Sequence, residues 1–198
     1  MDAVAINLLE EIPMLKYSIE IAGLKRELPI CRVNDSLYIG AFVIFGDVEL
    51  TIAAAKALLE KAPAYDYMIT AESKGIPLVY EMARQSGQNK YLLARKSAKL
   101  YMRDVFSVSV KSITTSNVQQ LFLDADDAKL IRGKKILVVD DVISTGQSLY
   151  AVEELVRAAG GQIAGRMAIL AEGVARTRDD ITYLSPLPLF RADGSILE

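Results

Sequence analysis

Ile136-Leu-Val-Val-Asp-Asp-Val-Ile-Ser-Thr-Gly-Gln-Ser148 is the stretch from which the rest of this chain can be read. Ile136–Val139 is an uninterrupted apolar run, which suits a strand buried on both faces of a parallel sheet. Asp140 and Asp141 stand where that strand is expected to end. Ser144-Thr145-Gly146-Gln147-Ser148 then supplies hydroxyls, a permissive glycine and the start of a helix. Leu149, Val152, Leu155 and Ala159 recur at helical spacing, and Gly160-Gly161 stops the helix.

A small polar loop entering a helix N-terminus presents free backbone N–H groups and the positive end of the helix dipole, a combination that favours a phosphate. Two adjacent carboxylates would repel that phosphate. They suit sugar hydroxyls, from which they accept hydrogen bonds, or a magnesium ion. A phosphate next to a diol describes a ribose 5-phosphate.

The order of four apolar residues, two acidic, two apolar, then Ser-Thr-Gly-x-Ser closely resembles the phosphoribosyl-pyrophosphate motif of type I phosphoribosyltransferases. Upstream, Tyr65–Ala71 reads as a strand followed at once by Glu72-Ser73-Lys74-Gly75 and a helix to about Gln85, a second strand–loop–helix unit. That loop is similar to the Glu-x-Arg/Lys-Gly of adenine- and xanthine-type members. The resemblance implies a single α/β domain over residues 1–198, an open and mostly parallel sheet flanked by helices. A small N-terminal hood (about 1–45) and a flexible lid would accompany the core (about 46–185).

It also implies roles. Ser144, Thr145, Gly146, Gln147 and Ser148 would hold the 5′-phosphate. Asp140 and Asp141 would hold the ribose hydroxyls or Mg²⁺, directly or through water. Glu72, Ser73, Lys74 and Gly75, with Arg95, Lys96 and Lys99 after the strand Tyr91–Ala94, would serve the pyrophosphate. The two aspartates and Lys99 are the candidate catalytic groups. The reaction would pass ribose 5-phosphate from phosphoribosyl pyrophosphate to a ring nitrogen of a purine base, through an oxocarbenium-like state that carboxylates stabilise. Asn34 or Asp35 in the hood, Tyr38 and Val142 are candidates for contact with the base.

Size and composition bound the alternatives. The 198 residues suffice for one domain with a full core, and a net charge of −2 offers no broad basic field for nucleic acid. One cysteine, Cys31, rules out an internal disulfide and fits a reducing, cytoplasmic setting. No apolar run approaches the roughly 18 residues of a membrane span, and no basic-then-apolar leader opens the chain. With no histidine present, histidine metal sites, Ser-His-Asp triads and a histidine base are excluded.

Elsewhere, Asp2–Ile12 reads as a short helix ended by Pro13, and Tyr17–Leu28 fits helix or strand. Pro29–Phe45 is apolar, with a turn at Asn34–Ser36. Asp47 can cap a helix to about Lys61 that buries Leu50, Ala54, Ala57 and Leu58. Tyr101–Val118 reads as a hairpin or lid, Leu121–Leu123 as a short strand, and Asp124–Lys135 as a charged connection. Gln162–Ala171 is a further strand ending at Glu172-Gly173. Ile181–Leu184 with Pro186-Leu-Pro-Leu forms an edge strand. Alternating strands and helices argue for an open α/β sheet with ligands at its carboxyl edge.

Base choice follows by subtraction within the resemblance. Hypoxanthine/guanine enzymes carry an aspartate where this chain has Ser144, and orotate enzymes use a lid histidine. Xanthine-type enzymes place a lysine after the glutamate matching Glu172, where this chain has Gly173. Against this, Arg95–Lys99 and Lys111 look xanthine-like, since adenine enzymes usually have a lid glutamate at that place. Adenine is favoured and xanthine is the alternative. A non-catalytic sensor is the rival from another class, and Met1–Leu28 is too short for the DNA-binding domain such regulators add. Family members are commonly dimers, which implies a homodimer.

Overall fold

The computed structural model describes residues 15–102, 104–111 and 118–197 (of Lys111, the backbone only). The expected helix Asp2–Ile12 and the hairpin tip Ser112–Asn117 lie outside them. Tyr17–Leu28 resolves as a hairpin of β1 (Lys16–Ile21) and β2 (Leu24–Arg32), paired from Lys16↔Pro29 to Ile21↔Leu24. Ile19 and Ile21 point inward between polar neighbours. Ala22 and Gly23 both take positive φ (52° and 80°), the pattern of a type I′ turn, whose twist matches the strands.

β3 (Tyr38–Gly40) adds antiparallel to β2. In α1 (Val48–Leu59) the Asp47 carboxylate caps the helix by accepting from Leu50 N at 3.0 Å. Leu50, Ala54 and Leu58 are buried as their spacing requires. Ala57 is only half-buried, because the helix turns Thr51 and Ala55 inward in its place.

β4 (Tyr67–Ala71), α2 (Gly75–Gln85) and β5 (Leu92–Ala94) follow. β6 (Phe106–Lys111) and β7 (Val118–Leu123) form the expected hairpin, and Leu121–Leu123 is the end of its second strand rather than a separate one. The charged connection holds a short helix, α3 (Ala125–Ile131), capped by Asp124. Its seven residues bury only Ile131, so it has no apolar stripe to betray it. Then come β8 (Lys135–Ile143), α4 (Gln147–Ala158), β9 (Gln162–Glu172), a 3₁₀ turn (Gly173–Thr177) and β10 (Thr182–Leu187). β11 (Leu189–Phe190) and β12 (Ile196–Leu197) close the chain.

The core sheet has the order β10-β9-β8-β4-β5, with every pairing parallel. The chain winds outward from β4 to β5 on one side and from β8 to β9 and β10 on the other. α2 packs in one buried cluster with Leu78 and Met82, α4 in another with Val152 and Leu155, on opposite faces. The crevice between the carboxyl ends of β4 and β8 is therefore the switch point where open α/β sheets bind ligands.

The hood is a second, antiparallel sheet in the order β1-β2-β3-β11-β12. Both ends of the chain build it, because the segment after edge strand β10 returns to pair with β3. Ile19, Ile21 and Leu28 share a buried cluster with Met68, Leu78 and Leu137, which ties the hood to the α1/α2 face.

β8 does not end before its aspartates. β9 pairs with it as far as Ile143↔Ala171, whereas β4 pairs with it only to Ile69↔Val138. Asp140 and Asp141 are therefore held rigidly by one neighbour while the other side opens into the crevice. Among the described residues no helix is long and apolar enough to cross a membrane.

The closest approach at the crevice is at Gly75. A β-carbon there would lie 2.1 Å from Thr70 Oγ1 and 3.3 Å from Asp140 Oδ1. Gly75→Ala is expected to cost about 1–3 kcal/mol in urea unfolding, the range for overpacking. Adding Thr70→Ala should restore most of it. An unaltered midpoint for the single variant would show that the close packing is not as described.

Candidate functional site

Two loops face each other across this crevice. The first, Glu72–Gly75, leaves β4 and enters α2, and its Glu72–Ser73 peptide is cis. Glu72 is anchored to the neighbouring strand: its N–H donates to Ala94 O at 2.9 Å, and its carboxylate accepts from Arg95 Nη1 at 2.7 Å and Lys96 N at 3.0 Å. Lys99 Nζ stands 3.8 Å away and also donates to Ser97 Oγ at 3.0 Å. The Arg95 hydrogen bond, first, and the Lys96 amide hold the Glu72 carboxyl below the usual carboxylate range, against the effect of burial.

Arg95 is thus already matched in charge. Its backbone exchanges two 2.9 Å hydrogen bonds with Phe122, and its guanidinium lies 5.9 Å from the Tyr101 ring centroid. Lys96, exposed, and Lys99, partly exposed, are the cations of this group that face solvent.

The second loop follows β8. Asp140 Oδ1 accepts from Asp141 N at 2.9 Å. Burial first, and the adjacent Asp141 charge second, push the Asp140 carboxyl up to about 7. The Asp141 side chain is 5% exposed, and its Oδ2 lies 2.9 Å from Lys74 Nζ, an ion pair without hydrogen-bond alignment. Lys74 also donates to Phe42 O at 3.4 Å, which is where the hood meets the loops. Lys74, expected on the pyrophosphate side, thus bridges the two loops.

Ser144–Ser148 line a cavity of about 110 Å³ together with Asp140, Val142, Ile143 and Leu149. Gly146 occupies the N-cap of α4 at φ 79°, a left-handed conformation that suits glycine. Gly146 has no side chain to cap this helix; Thr145 Oγ1 accepts from Gln147 N at 3.5 Å, and the Ser148 and Leu149 N–H groups of the first turn are the ones suited to an anion.

Of the base candidates, Val142 is half-buried at this cavity. Asn34 is engaged in its own turn, its Oδ1 accepting from Ser36 N at 3.0 Å and Leu37 N at 2.9 Å. Asp35 pairs with Arg32, and Tyr38 lies half-buried in β3 opposite Phe190.

One neighbour of the site carries no signal of its own in the sequence, and another stands out only through the resemblance. Phe42 contributes only a carbonyl. Glu172, noted as a marker of base type, is buried at the end of β9. Burial raises its carboxyl pKa, while the Ser144 hydroxyl and the Lys74 charge pull it back.

Among the described residues no three or more potential ligands cluster as a metal cage. The donor set still fits magnesium, which is commonly held by one or two carboxylates with substrate oxygens and water completing the shell. Asp141 Oδ2 is a buried carboxylate oxygen with no hydrogen-bond donor of its own.

The family model for the phosphoribosyl transferase domain matches residues 49–187, which spans both loops. The chain is 34% identical over 128 residues to the adenine phosphoribosyltransferase of Rubrobacter xylanophilus, covering 64% of this chain and 66% of that one. It is 32% identical over 126 residues to the adenine phosphoribosyltransferase of Petrotoga mobilis, 62% of each. These matches span less than two thirds of each relative's length. Among solved structures, the adenine phosphoribosyltransferase of Thermoanaerobacter pseudethanolicus superposes with a TM-score of 0.60 at 18% identity, covering 72% of this chain and 84% of that one, a likeness of fold. A matched domain of this extent, over a sheet whose switch point carries both loops, means that the chain belongs to the phosphoribosyltransferase family.

Proposed function

We propose that this protein transfers ribose 5-phosphate from phosphoribosyl pyrophosphate to a purine base, adenine foremost, releasing pyrophosphate. The observation that carries the reading is the meeting of two strand–loop–helix turns at the carboxyl ends of adjacent β4 and β8, joined by the 2.9 Å Lys74–Asp141 pair. In this reading the first turn of α4 takes the 5′-phosphate. Asp140 and Asp141 accept the ribose hydroxyls and stabilise positive charge developing at the anomeric carbon. Lys96 and Lys99, set beside the Glu72–Arg95 pair, take the departing pyrophosphate, with Lys74 bridging toward it.

Asp140 and Asp141 would hold magnesium, which would supply positive charge to offset the negative charge that grows on the leaving group. The hairpin of β6 and β7 is the candidate lid that excludes water. Adenine is favoured by the names of the relatives, by Ser144 standing in place of an aspartate, and by Gly173 in place of the lysine of xanthine-type enzymes. A homodimer belongs to the same reading. The exposed apolar side chains Val48, Ile52 and Tyr80 around one shallow cavity offer it a face.

Turnover at saturating phosphoribosyl pyrophosphate with adenine, xanthine, hypoxanthine and guanine tests the assignment. Adenine is expected to be fastest and the 6-oxopurines hypoxanthine and guanine slow. Preference for either of those two refutes the Ser144 argument, and tight substrate binding without turnover on any base supports a sensor instead.

The raised Asp140 carboxyl gives a second test, on the protein without ligand. Because Asp140 holds its proton more tightly folded than unfolded, its contribution to stability is greatest below pH 3.8 and is lost as pH rises toward about 7. Wild type minus Asp140→Asn, followed by chemical unfolding across that interval, should decline with pH and level off above it. A flat or rising difference would mean that the carboxyl is not destabilised by burial.

A further inference from the structure

Arg178 belongs to none of the motifs above, yet it borders the phosphate loop. It follows the 3₁₀ turn after β9, and its Nε and Nη2 donate to the two oxygens of Asp180 at 2.8 and 2.7 Å. Asp180 Oδ2 also lies 3.5 Å from Arg166 Nε, and Arg166 is held in turn by Glu153 at 2.5 and 3.1 Å. Arg166 is on β9 and Glu153 on the buried side of α4, the two elements that frame the loop. The Arg178 fork is therefore fixed in place from both.

Its third nitrogen, Nη1, is unspent among the described residues and is directed at Gly146. A β-carbon built on Gly146 would lie 2.7 Å from it. A side chain at 146 would push this guanidinium aside, and the backbone there, at φ 79°, already favours glycine.

The plainer reading is a surface ion pair, worth little for a side chain 35% exposed. That reading leaves the position unexplained. The N-terminus of α4 carries the positive end of the helix dipole, so a cation placed against it is repelled unless an anion lies between them. The pair with Asp180 uses two of the three guanidinium nitrogens and does not require the third to approach Gly146.

We propose that Arg178 is a phosphate-binding residue of this site: its Nη1 donates to the 5′-phosphate of the sugar held by Ser144–Ser148. This rests on the reading given under Proposed function and adds a charged contact that selects phosphorylated sugar. A guanidinium hydrogen bond to phosphate is charge-assisted, and losing it typically weakens binding about tenfold or more.

Calorimetry on the full chain with two probes, ribose 5-phosphate and inorganic pyrophosphate, tests it on wild type, Arg178→Gln and Arg178→Lys. Thermal melts check that each variant is folded. Wild type should bind ribose 5-phosphate, Arg178→Gln should weaken it about tenfold or more, and pyrophosphate affinity should hold. Arg178→Lys keeps the charge but lacks the fork, so it should fall between them, and it provides the comparison should Arg178→Gln not fold. Equal ribose 5-phosphate affinity in folded variants overturns the role of Arg178 and leaves the site reading standing. Equal losses for both probes also overturn it, by showing that Arg178 acts through the fold. Failure of wild type to bind ribose 5-phosphate overturns both.

Discussion

The ion pair between Lys74 and Asp141 is the constraint on which the rest of this site depends. Asp141 and Glu172 are buried, and Asp140 half-buried, at the carboxyl ends of β8 and β9, an arrangement of like charges that would be costly without a cation among them. Lys74 provides it from the opposite loop, and the same lysine reaches the hood through Phe42 O. One side chain therefore ties three parts of the molecule at the point where the sheet changes direction. Gly75, immediately after it, lets α2 begin hard against Thr70 and Asp140, where a β-carbon would meet Thr70 Oγ1 at 2.1 Å.

Charge is sorted around that junction. On the side of β5, Glu72 takes up Arg95 and stands 3.8 Å from partly exposed Lys99, and Lys96 faces solvent. On the side of β9, the aspartates give way to the first turn of α4, with Arg178 beyond it. A ligand that is anionic at both ends and hydroxylated in the middle matches this sequence of cation, carboxylate and helix dipole. The parallel strands hold the carboxylates in fixed register, so preorganisation comes from β-sheet pairing rather than from the loops.

Much of this was legible from residue order alone. The Ile136–Ser148 run carries strand, carboxylates, loop and helix start in one stretch, and the structure has all four. The end of the strand was misread because the pairing that extends β8 to Ile143 comes from β9, which no local pattern in β8 reveals. The hairpin at Ala22-Gly23 was ambiguous because alanine is an unusual residue for positive φ, so the turn lacked its usual Asn-Gly signature. The contribution of β11 and β12 to the hood, the carbonyl of Phe42 and the approach of Arg178 to Gly146 all depend on long-range packing. None leaves a trace in composition or spacing. Asn34 shows the converse: a residue type apt for reading a base edge is engaged in holding its own turn.

The central claim is that the paired carboxylates at the end of β8 grip the sugar of phosphoribosyl pyrophosphate. Calorimetric titration of that compound with magnesium into wild type and into Asp140→Asn/Asp141→Asn tests it most directly. The double substitution keeps shape and removes charge. The account predicts a loss of affinity of about tenfold to a hundredfold, the worth of one or two charge-assisted contacts, in a variant that still unfolds cooperatively. Equal affinity for the two proteins would contradict it.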